Sequence, residues 1–273
     1  MVVRREPDGH EFQPSGPRTS DGGVGPDELN LLVITLDTTR ADRIGAYGYQ
    51  GVETPTIDRL AREGVLFEQA MAVAPLTLPA HCSIFTSKFP PEHGVRDNGG
   101  FFLSPKQLTL ATVMKRRGFQ TGVVVAAFVL DGKWGLNQGF DTYVDQFELP
   151  ESRGFSMGEI QRPGNEVVDR ALPWLEKVKR QRFFAWLHFY DPHAPYEPPE
   201  PFKTRYAEHP YLGEIPFMDS QITRVIDFLE RNALLDKGLR RSALSPAPLR
   251  LERTARVASG PLQGDRRPPP GVL

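Results

Sequence analysis

The residues best suited to chemistry lie around Thr77, in residues 74–87. Pro79 is tolerated in the first turn of a helix, and the apolar residues 80–85 after it predict a short helix. We therefore expect Thr77 in the turn just before a helix N-terminus, where unpaired backbone N–H groups favour anions and developing negative charge. A threonine in that place is either a nucleophile or only an N-cap, and both interpretations stay open.

A second candidate group follows a predicted buried strand. Residues 30–36 form a nearly continuous apolar run, which is typical of a strand buried on both faces of an α/β sheet, and Asp37 comes directly after it. Ligands collect outside the carboxyl ends of strands in open α/β folds, so Asp37 is a candidate metal ligand or general base. Aspartate is also a common turn residue, and this alternative remains.

The elements that must position these residues alternate between strands and helices. Strands are predicted at residues 30–36, 65–73, 120–127 and 183–190, and helices at 54–64, 80–85, 108–117, 164–180 and 213–236. Thr54 is expected to cap the first of these helices and Gly64 to end it. The alternation predicts an α/β fold with a largely parallel sheet covered by helices on both faces.

Composition limits the partners and the domain boundaries. A net charge of -1 gives no reason to expect nucleic acid or an anionic membrane as partner, and no apolar run reaches the length of a transmembrane segment. Residues 1–29 are predicted to be a disordered tail, 30–237 an α/β domain and 238–273 an unstructured tail. The first residues lack the apolar core of a signal peptide, which predicts a cytoplasmic location, or a periplasmic or secreted one if the true start lies upstream.

Several short motifs, taken in order, resemble the N-terminal half of the sulfatases, within the alkaline phosphatase superfamily. They are Leu36-Asp37-Thr38-Thr39-Arg40-Ala41-Asp42, Thr77-Leu78-Pro79-Ala80-His81, His93-Gly94-Val95, Gly139-Phe140-Asp141 and Pro192-His193-Ala194-Pro195. The resemblance covers residues 31–236 and implies an alkaline phosphatase-like sandwich that is truncated at the C-terminus.

The resemblance also implies roles for individual residues. The implied metal ligands are Asp37, Thr77 and Thr38, the catalytic residues Thr77 and His81, and the substrate-binding residues Asn98, His193, Lys133 and Arg40. The implied cofactor is a divalent metal, with Ca²⁺ expected first and Mg²⁺, Mn²⁺ or Zn²⁺ as alternatives.

Three departures from the family pattern change the expected chemistry. Thr77 stands where sulfatases carry a cysteine that is oxidised to formylglycine, so no formylglycine is expected, and Cys82 lies five residues further on. Thr38 replaces a second metal-binding aspartate, and His81 replaces an arginine. The pattern resembles the branch in which a threonine alkoxide on a divalent metal is the nucleophile, as in lipoteichoic acid synthase.

The expected reaction is hydrolysis of a sulfate or phosphate ester of a small molecule, glycan or lipid through a covalent intermediate on Thr77. The alternatives are a phosphoryl-type transferase of the same superfamily and an inactive fragment. In sulfatases a buried strand and an Asp-His or Asp-Asn pair complete the metal site after the helix that matches residues 213–236. Residues 238–273 hold seven Arg and six Pro with no such pair, which predicts a frameshift near codon 237 and a poorly active chain; the nucleotide sequence tests this.

Overall fold

The computed structural model describes residues 29–148 and 156–235, and the backbone of residues 243–244. Its strands are β1 (Leu31–Leu36), β2 (Val65–Leu66), β3 (Gln120–Val124), β4 (Thr142–Val144), β5 (Phe183–Phe189) and β6 (Ala243–Leu244). Four of them form a parallel sheet in the order β1-β5-β3-β4, and β2 pairs in parallel with β6. The predicted parallel α/β architecture is confirmed.

Seven α-helices connect these strands in the described parts of the chain. They are α1 (Pro55–Glu63), α2 (Thr77–Thr86), α3 (Pro90–His93), α4 (Leu110–Arg116), α5 (Gly164–Val178), α6 (Phe202–Arg205) and α7 (Pro210–Arg231). None of the helices in these parts is long and apolar enough to cross a lipid bilayer.

The two faces of β5 are covered by different helices. Successive side chains of a strand point to opposite faces. Trp186 lies 4.4 Å from the ring of Phe85 on α2, whereas Phe183 contacts Trp174 on α5, at 6.2 Å between ring centroids. All seven residues of β5 are buried. Helices therefore lie on both sides of the sheet, with β5 at its centre.

Three expectations about the strands are wrong. The strand expected over residues 65–73 pairs only at Val65–Leu66, and Met71 beyond it is 78% exposed. Thr142–Val144 forms a strand that the sequence does not signal, because three half-buried residues give too short a pattern. The first strand was expected to be buried on both faces, but β1 lies at one edge of the described sheet and only Leu32 in it is fully buried.

The predicted tails lie largely outside the described residues. Residues 1–28, 238–242 and 245–273 are not described, and neither are residues 149–155. Within the C-terminal stretch that was expected to be unstructured, Ala243–Leu244 pairs with β2, so that expectation is wrong at these two residues.

Candidate active site

A cluster of three potential ligand side chains lies at the carboxyl ends of β1 and β5. Asp37 follows β1, His188 is the last residue but one of β5, and His81 extends from α2. One nitrogen or oxygen atom from each lies within 4.8 Å of the other two. The pairing of Thr35 with His188 across the two strands brings Asp37 and His188 together, with His188 Nε2 3.4 Å from Asp37 Oδ2.

His81 presents an unpaired lone pair to this cluster. Its Nδ1 lies 2.7 Å from the carbonyl oxygen of Thr77, which only accepts, so Nδ1 carries the proton and donates. Its Nε2 is buried and has no hydrogen-bond partner among the described residues. Burial, together with the nearby His188, lowers the pKa of His81 to about 4. His81 is therefore neutral at neutral pH, with Nε2 free to bind a metal ion.

His188 has the opposite arrangement of its two ring nitrogens. Its Nδ1 accepts a hydrogen bond of 3.2 Å from the backbone N–H of Ala126, so the neutral ring carries its proton on Nε2. That N–H faces Asp37 and donates to its carboxylate. Burial raises the pKa of Asp37, but His188, His81 and Thr77 outweigh it and lower the pKa to about 2. His188 thus orients Asp37 and keeps it ionised.

Thr77 is the first residue of α2, not a residue before the helix as expected. The N-cap is Leu76, whose own side chain makes no capping bond, and the N-cap alternative for Thr77 is therefore wrong. Pro79 still lies within the first turn, so the helix begins earlier than the apolar pattern suggests. The Thr77 side chain is buried, and its hydroxyl interacts with the carboxylate of Asp37 and the hydroxyl of Tyr190.

Two of the predicted substrate-binding residues lie beside Thr77. The side-chain oxygen of Asn98 accepts a 2.9 Å hydrogen bond from the backbone N–H of Leu78, in the first turn of α2. The ring of His193 stacks on that of Tyr190 at 4.1 Å, and Tyr190 contacts Thr77. Asn98 thus lies at the first turn of α2, and His193 is linked to Thr77 through Tyr190.

The other two predicted substrate-binding residues contact their own segments. Arg40 forms an exposed ion pair of 2.6 Å with Asp42. The ammonium of Lys133 lies 3.6 Å from the ring centroid of Phe128 and 3.7 Å from the carboxylate of Asp131. These contacts give neither side chain a link to Thr77, and their substrate-binding roles stay predictions.

Thr38 anchors a loop. It adopts a left-handed conformation with φ of 52°, and its hydroxyl donates a 2.6 Å hydrogen bond to the carbonyl of Pro192. Its backbone N–H donates to Asp37 Oδ1, and its carbonyl accepts from the hydroxyl of Tyr211. The hydroxyl that was predicted to bind metal thus fixes the loop carrying His193, and a role for Thr38 as a ligand stays a prediction.

Sequence reasoning missed His188 and Tyr190 in this site. The signal that was present is a histidine inside the otherwise apolar β5, on the same face as Trp186. Cys82 is buried within α2, and burial raises the pKa of its thiol to about 12. It therefore remains a protonated core residue, away from the position of a formylglycine.

Comparison with known proteins identifies sulfatases as relatives of this chain. The chain is 33% identical over 143 residues to mouse (Mus musculus) steryl-sulfatase, an alignment covering 49% of this chain and 22% of that enzyme. It is 28% identical over 183 residues to an N-acetylglucosamine-6-O-sulfatase of Bacteroides thetaiotaomicron, covering 62% of this chain and 31% of that enzyme. The chain thus spans less than a third of the length of either relative.

The fold has solved counterparts. The phosphonate monoester hydrolase of Agrobacterium radiobacter superposes with a TM-score of 0.64 over 77% of this chain and 61% of that one. At 18% identity this likeness shows the alkaline phosphatase-like fold alone. Residues 29–239, most of the chain and all of the site, match the sequence profile of the family described as Sulfatase. The chain therefore belongs to the Sulfatase family.

Proposed function

We propose that this chain supplies catalytic residues of a sulfuric ester hydrolase in which Thr77 is the nucleophile. The observation that carries the proposal is the buried, unpartnered Nε2 of His81, which lies with Asp37 next to the Thr77 hydroxyl. A buried polar atom without a partner is unfavourable unless a ligand completes it. Membership of the Sulfatase family favours ester hydrolysis over the transferase alternative.

The residues fit a divalent metal ion. Asp37 offers a carboxylate, His81 offers Nε2 and Thr77 offers its hydroxyl, whereas His188 in its observed tautomer offers an N–H. This mixed nitrogen and oxygen set favours Mn²⁺ or Zn²⁺ over the Ca²⁺ expected from the sequence, because Ca²⁺ prefers oxygen ligands only. When bound, the ion supplies positive charge that makes the Thr77 hydroxyl more acidic.

The proposed reaction has two steps, attack by Thr77 and hydrolysis of the covalent intermediate. The Thr77 oxygen attacks the sulfur, a bond from Oγ1 to sulfur forms, and the bond from sulfur to the ester oxygen breaks. The proton that Oγ1 loses passes through solvent to the departing oxygen, which leaves as the alcohol. The N-terminal end of the α2 dipole favours the negative charge on the transferred group, while the N–H of Leu78 is already bonded to Asn98 and Pro79 has none. Asn98 and His193 are the side chains that we expect to contact this group. Water then attacks the sulfur, which releases sulfate and restores the hydroxyl of Thr77.

The relatives suggest the substrate class. They are named for a steryl sulfate and for an amino sugar sulfated at its 6-hydroxyl. We therefore expect a sulfate ester of a small molecule, glycan or lipid.

Three variants on α2 test the nucleophile. The full chain is assayed with Mn²⁺ on 4-nitrophenyl sulfate and on 4-nitrophenyl phosphate. Thr77→Ala should lower kcat by about 10³-fold or more, because the nucleophile is lost, while Thr77→Ser retains a hydroxyl and part of the rate. Thr86→Ala is the matched control, since the Thr86 hydroxyl at the other end of α2 donates to the carbonyl of Cys82.

Intact mass spectrometry completes this experiment. A quenched reaction should show one added sulfuryl group on the wild-type chain and none on Thr77→Ala. Unchanged turnover by Thr77→Ala contradicts the proposal, as does a chain that cleaves neither ester with any of the four divalent ions. If the chain cleaves 4-nitrophenyl phosphate faster than 4-nitrophenyl sulfate, phosphate ester chemistry becomes the favoured function.

A further inference from the structure

A cavity of about 350 Å³, lined by both apolar and polar side chains, adjoins the Thr77 site and is here called the second cavity. Its walls come from the segment before α5, the loop that follows β5 and the first turns of α7. Tyr190 lines it and also contacts Thr77, so the two sites share one side chain. Volumes of this size are typical of pockets for small organic ligands.

Two carboxylates in the wall of this cavity each have one oxygen without a partner. Asp191 Oδ1 accepts a 2.8 Å hydrogen bond from the backbone N–H of Gly164, and Glu214 Oε1 accepts one of 2.6 Å from that of Glu197. Their second oxygens, Asp191 Oδ2 and Glu214 Oε2, have no hydrogen-bond partner among the described residues. Asp191 and Glu214 are only 8% and 6% exposed. Buried carboxylates in this state lack a compensating donor or cation.

No side chain that lines the cavity supplies the missing positive charge. The guanidinium of Arg162 reaches the wall, but it donates to the carbonyls of Val125 and Gln146, at 2.7 and 2.6 Å. Burial raises the pKa of Asp191 to about 6, and burial together with Asp191 and Glu197 raises that of Glu214 to about 8. At neutral pH the raised pKa therefore keeps Glu214 largely protonated beside Asp191, and a bound cation would favour the ionised form of both groups.

The shape of the cavity distinguishes an organic cation from a metal ion. A hard divalent ion usually takes six or more oxygens. Among the described residues, the group of three or more potential ligand side chains that lie close together is Asp37, His81 and His188, and Asp191 and Glu214 form no such group. The cavity is much larger than an ion, and Tyr190, Phe217 and prolines line it beside the carboxylates. Aromatic faces and carboxylates together suit an ammonium group on a carbon skeleton.

We propose that this cavity binds the ammonium group of a small polar amine, up to the size of a monosaccharide, between Asp191 and Glu214. The amine's N–H groups donate to the two carboxyl groups, whose oxygens without partners are closed off from solvent here and turn toward the ligand on binding, and the skeleton packs against Tyr190 and Phe217. This site stands independently of the ester chemistry at Thr77.

Titration calorimetry on the full chain at neutral pH tests the proposal with glucosamine as the probe. Glucose is the matched neutral probe, because it differs only by a hydroxyl in place of the ammonium. Glucosamine should bind, and glucose should bind at least about tenfold more weakly. Asp191→Asn and Glu214→Gln should each weaken glucosamine binding at least about tenfold, because an amide cannot ionise against the bound ammonium group.

The variants preserve the bonds that hold the fold. An amide oxygen in either position can still accept from the backbone N–H of Gly164 or Glu197, and circular dichroism melting verifies folding. Glu200→Gln is the control, since this exposed carboxylate bonds Thr204. Equal binding of the two sugars, or full binding by folded Glu214→Gln, overturns the proposal. Binding of Ca²⁺ in place of glucosamine, lost in the same variants, overturns it too and identifies a metal site.

Discussion

At the scale of single residues, the site depends on two histidines held in opposite tautomers. His81 donates from Nδ1 to a backbone carbonyl, and His188 accepts at Nδ1 from a backbone N–H. One ring therefore offers a lone pair to a metal and the other offers a proton to Asp37. Neither property belongs to histidine in general, because both are set by the backbone group that each Nδ1 meets.

His188→Leu should lower the affinity of the chain for Mn²⁺ by about 10–100-fold, because the group that orients Asp37 is removed while the ligands remain. His188→Gln retains N–H donors and should recover part of the loss. Titration calorimetry with Mn²⁺ measures both, and His209→Gln, at an exposed position, is the control. Undiminished Mn²⁺ affinity in folded His188→Leu contradicts the orienting role.

The residues of the site differ in how far the sequence predicts them. Asp37 and Thr77 could be predicted because each lies next to a recognisable boundary, the end of an apolar strand or the start of a helix. His188 could not, since its role requires the neighbouring strand to bring Asp37 to it. Glu214 lies within the apolar pattern of a long helix, and only the packing of the loop at Glu197 gives its carboxylate a partner.

At the scale of elements, one helix caps another. Thr54, the expected cap of α1, forms no capping bond; its hydroxyl instead accepts from Gly45 and donates to Asp58. The first N–H groups of α1 are bonded by Asp219 on α7, which accepts from Ile57 at 2.8 Å and Thr56 at 3.2 Å. A buried carboxylate thereby joins two helices that are distant in sequence.

Asp219→Ala should lower the free energy of unfolding by about 1–3 kcal/mol, because two buried N–H groups lose their acceptor. Asp219→Asn keeps one carbonyl oxygen and should lose less. Urea denaturation measures both. Asp227→Ala, on the exposed side of the same helix, should stay within about 0.5 kcal/mol of the wild type. If Asp219→Ala lowers the free energy of unfolding no more than Asp227→Ala does, the capping bonds of Asp219 make no measurable contribution to stability.

The elements themselves are predicted best where a long apolar pattern defines them. The apolar runs of β1, β3 and β5 and the amphipathic pattern of α5 and α7 give their positions from sequence, although α7 begins at Pro210, before the predicted start. The short β4 and the end of β2 could not be predicted, because pairing partners and not intrinsic pattern decide where such strands stop. The start of α2 at Thr77, before the predicted start at residue 80, could not be predicted for the same reason.

At the scale of the whole molecule, the buried acids of the second cavity make stability depend on pH. Folding raises the pKa of Glu214 from 4.5 to about 8, so the folded chain binds more protons than the unfolded chain between these values. The free energy of unfolding therefore falls as pH rises through that window. One group contributes a slope of at most about 1.4 kcal/mol per pH unit.

Glu214→Gln should flatten this decline, since glutamine does not titrate. Urea denaturation at intervals from roughly pH 5 to pH 8 gives the two slopes. Glu200→Gln, with an exposed carboxylate on the neighbouring loop, should leave the wild-type slope in place. If Glu214→Gln shows the same decline as the wild type, the coupling between this carboxyl group and folding is absent.

The strand order has a consequence for synthesis on the ribosome. β5 lies between β1 and β3 in the sheet, yet it is the last of these four strands to leave the exit tunnel. β1 has no strand to pair with, and β3 has only β4, until residues 183–189 emerge, and the contact between Asp37 and His188 spans 151 residues. The nascent chain thus carries exposed apolar strands for most of its translation, when chaperone protection matters most. Insertion of β5 joins β1 to β3 and brings His188 to Asp37 in one event.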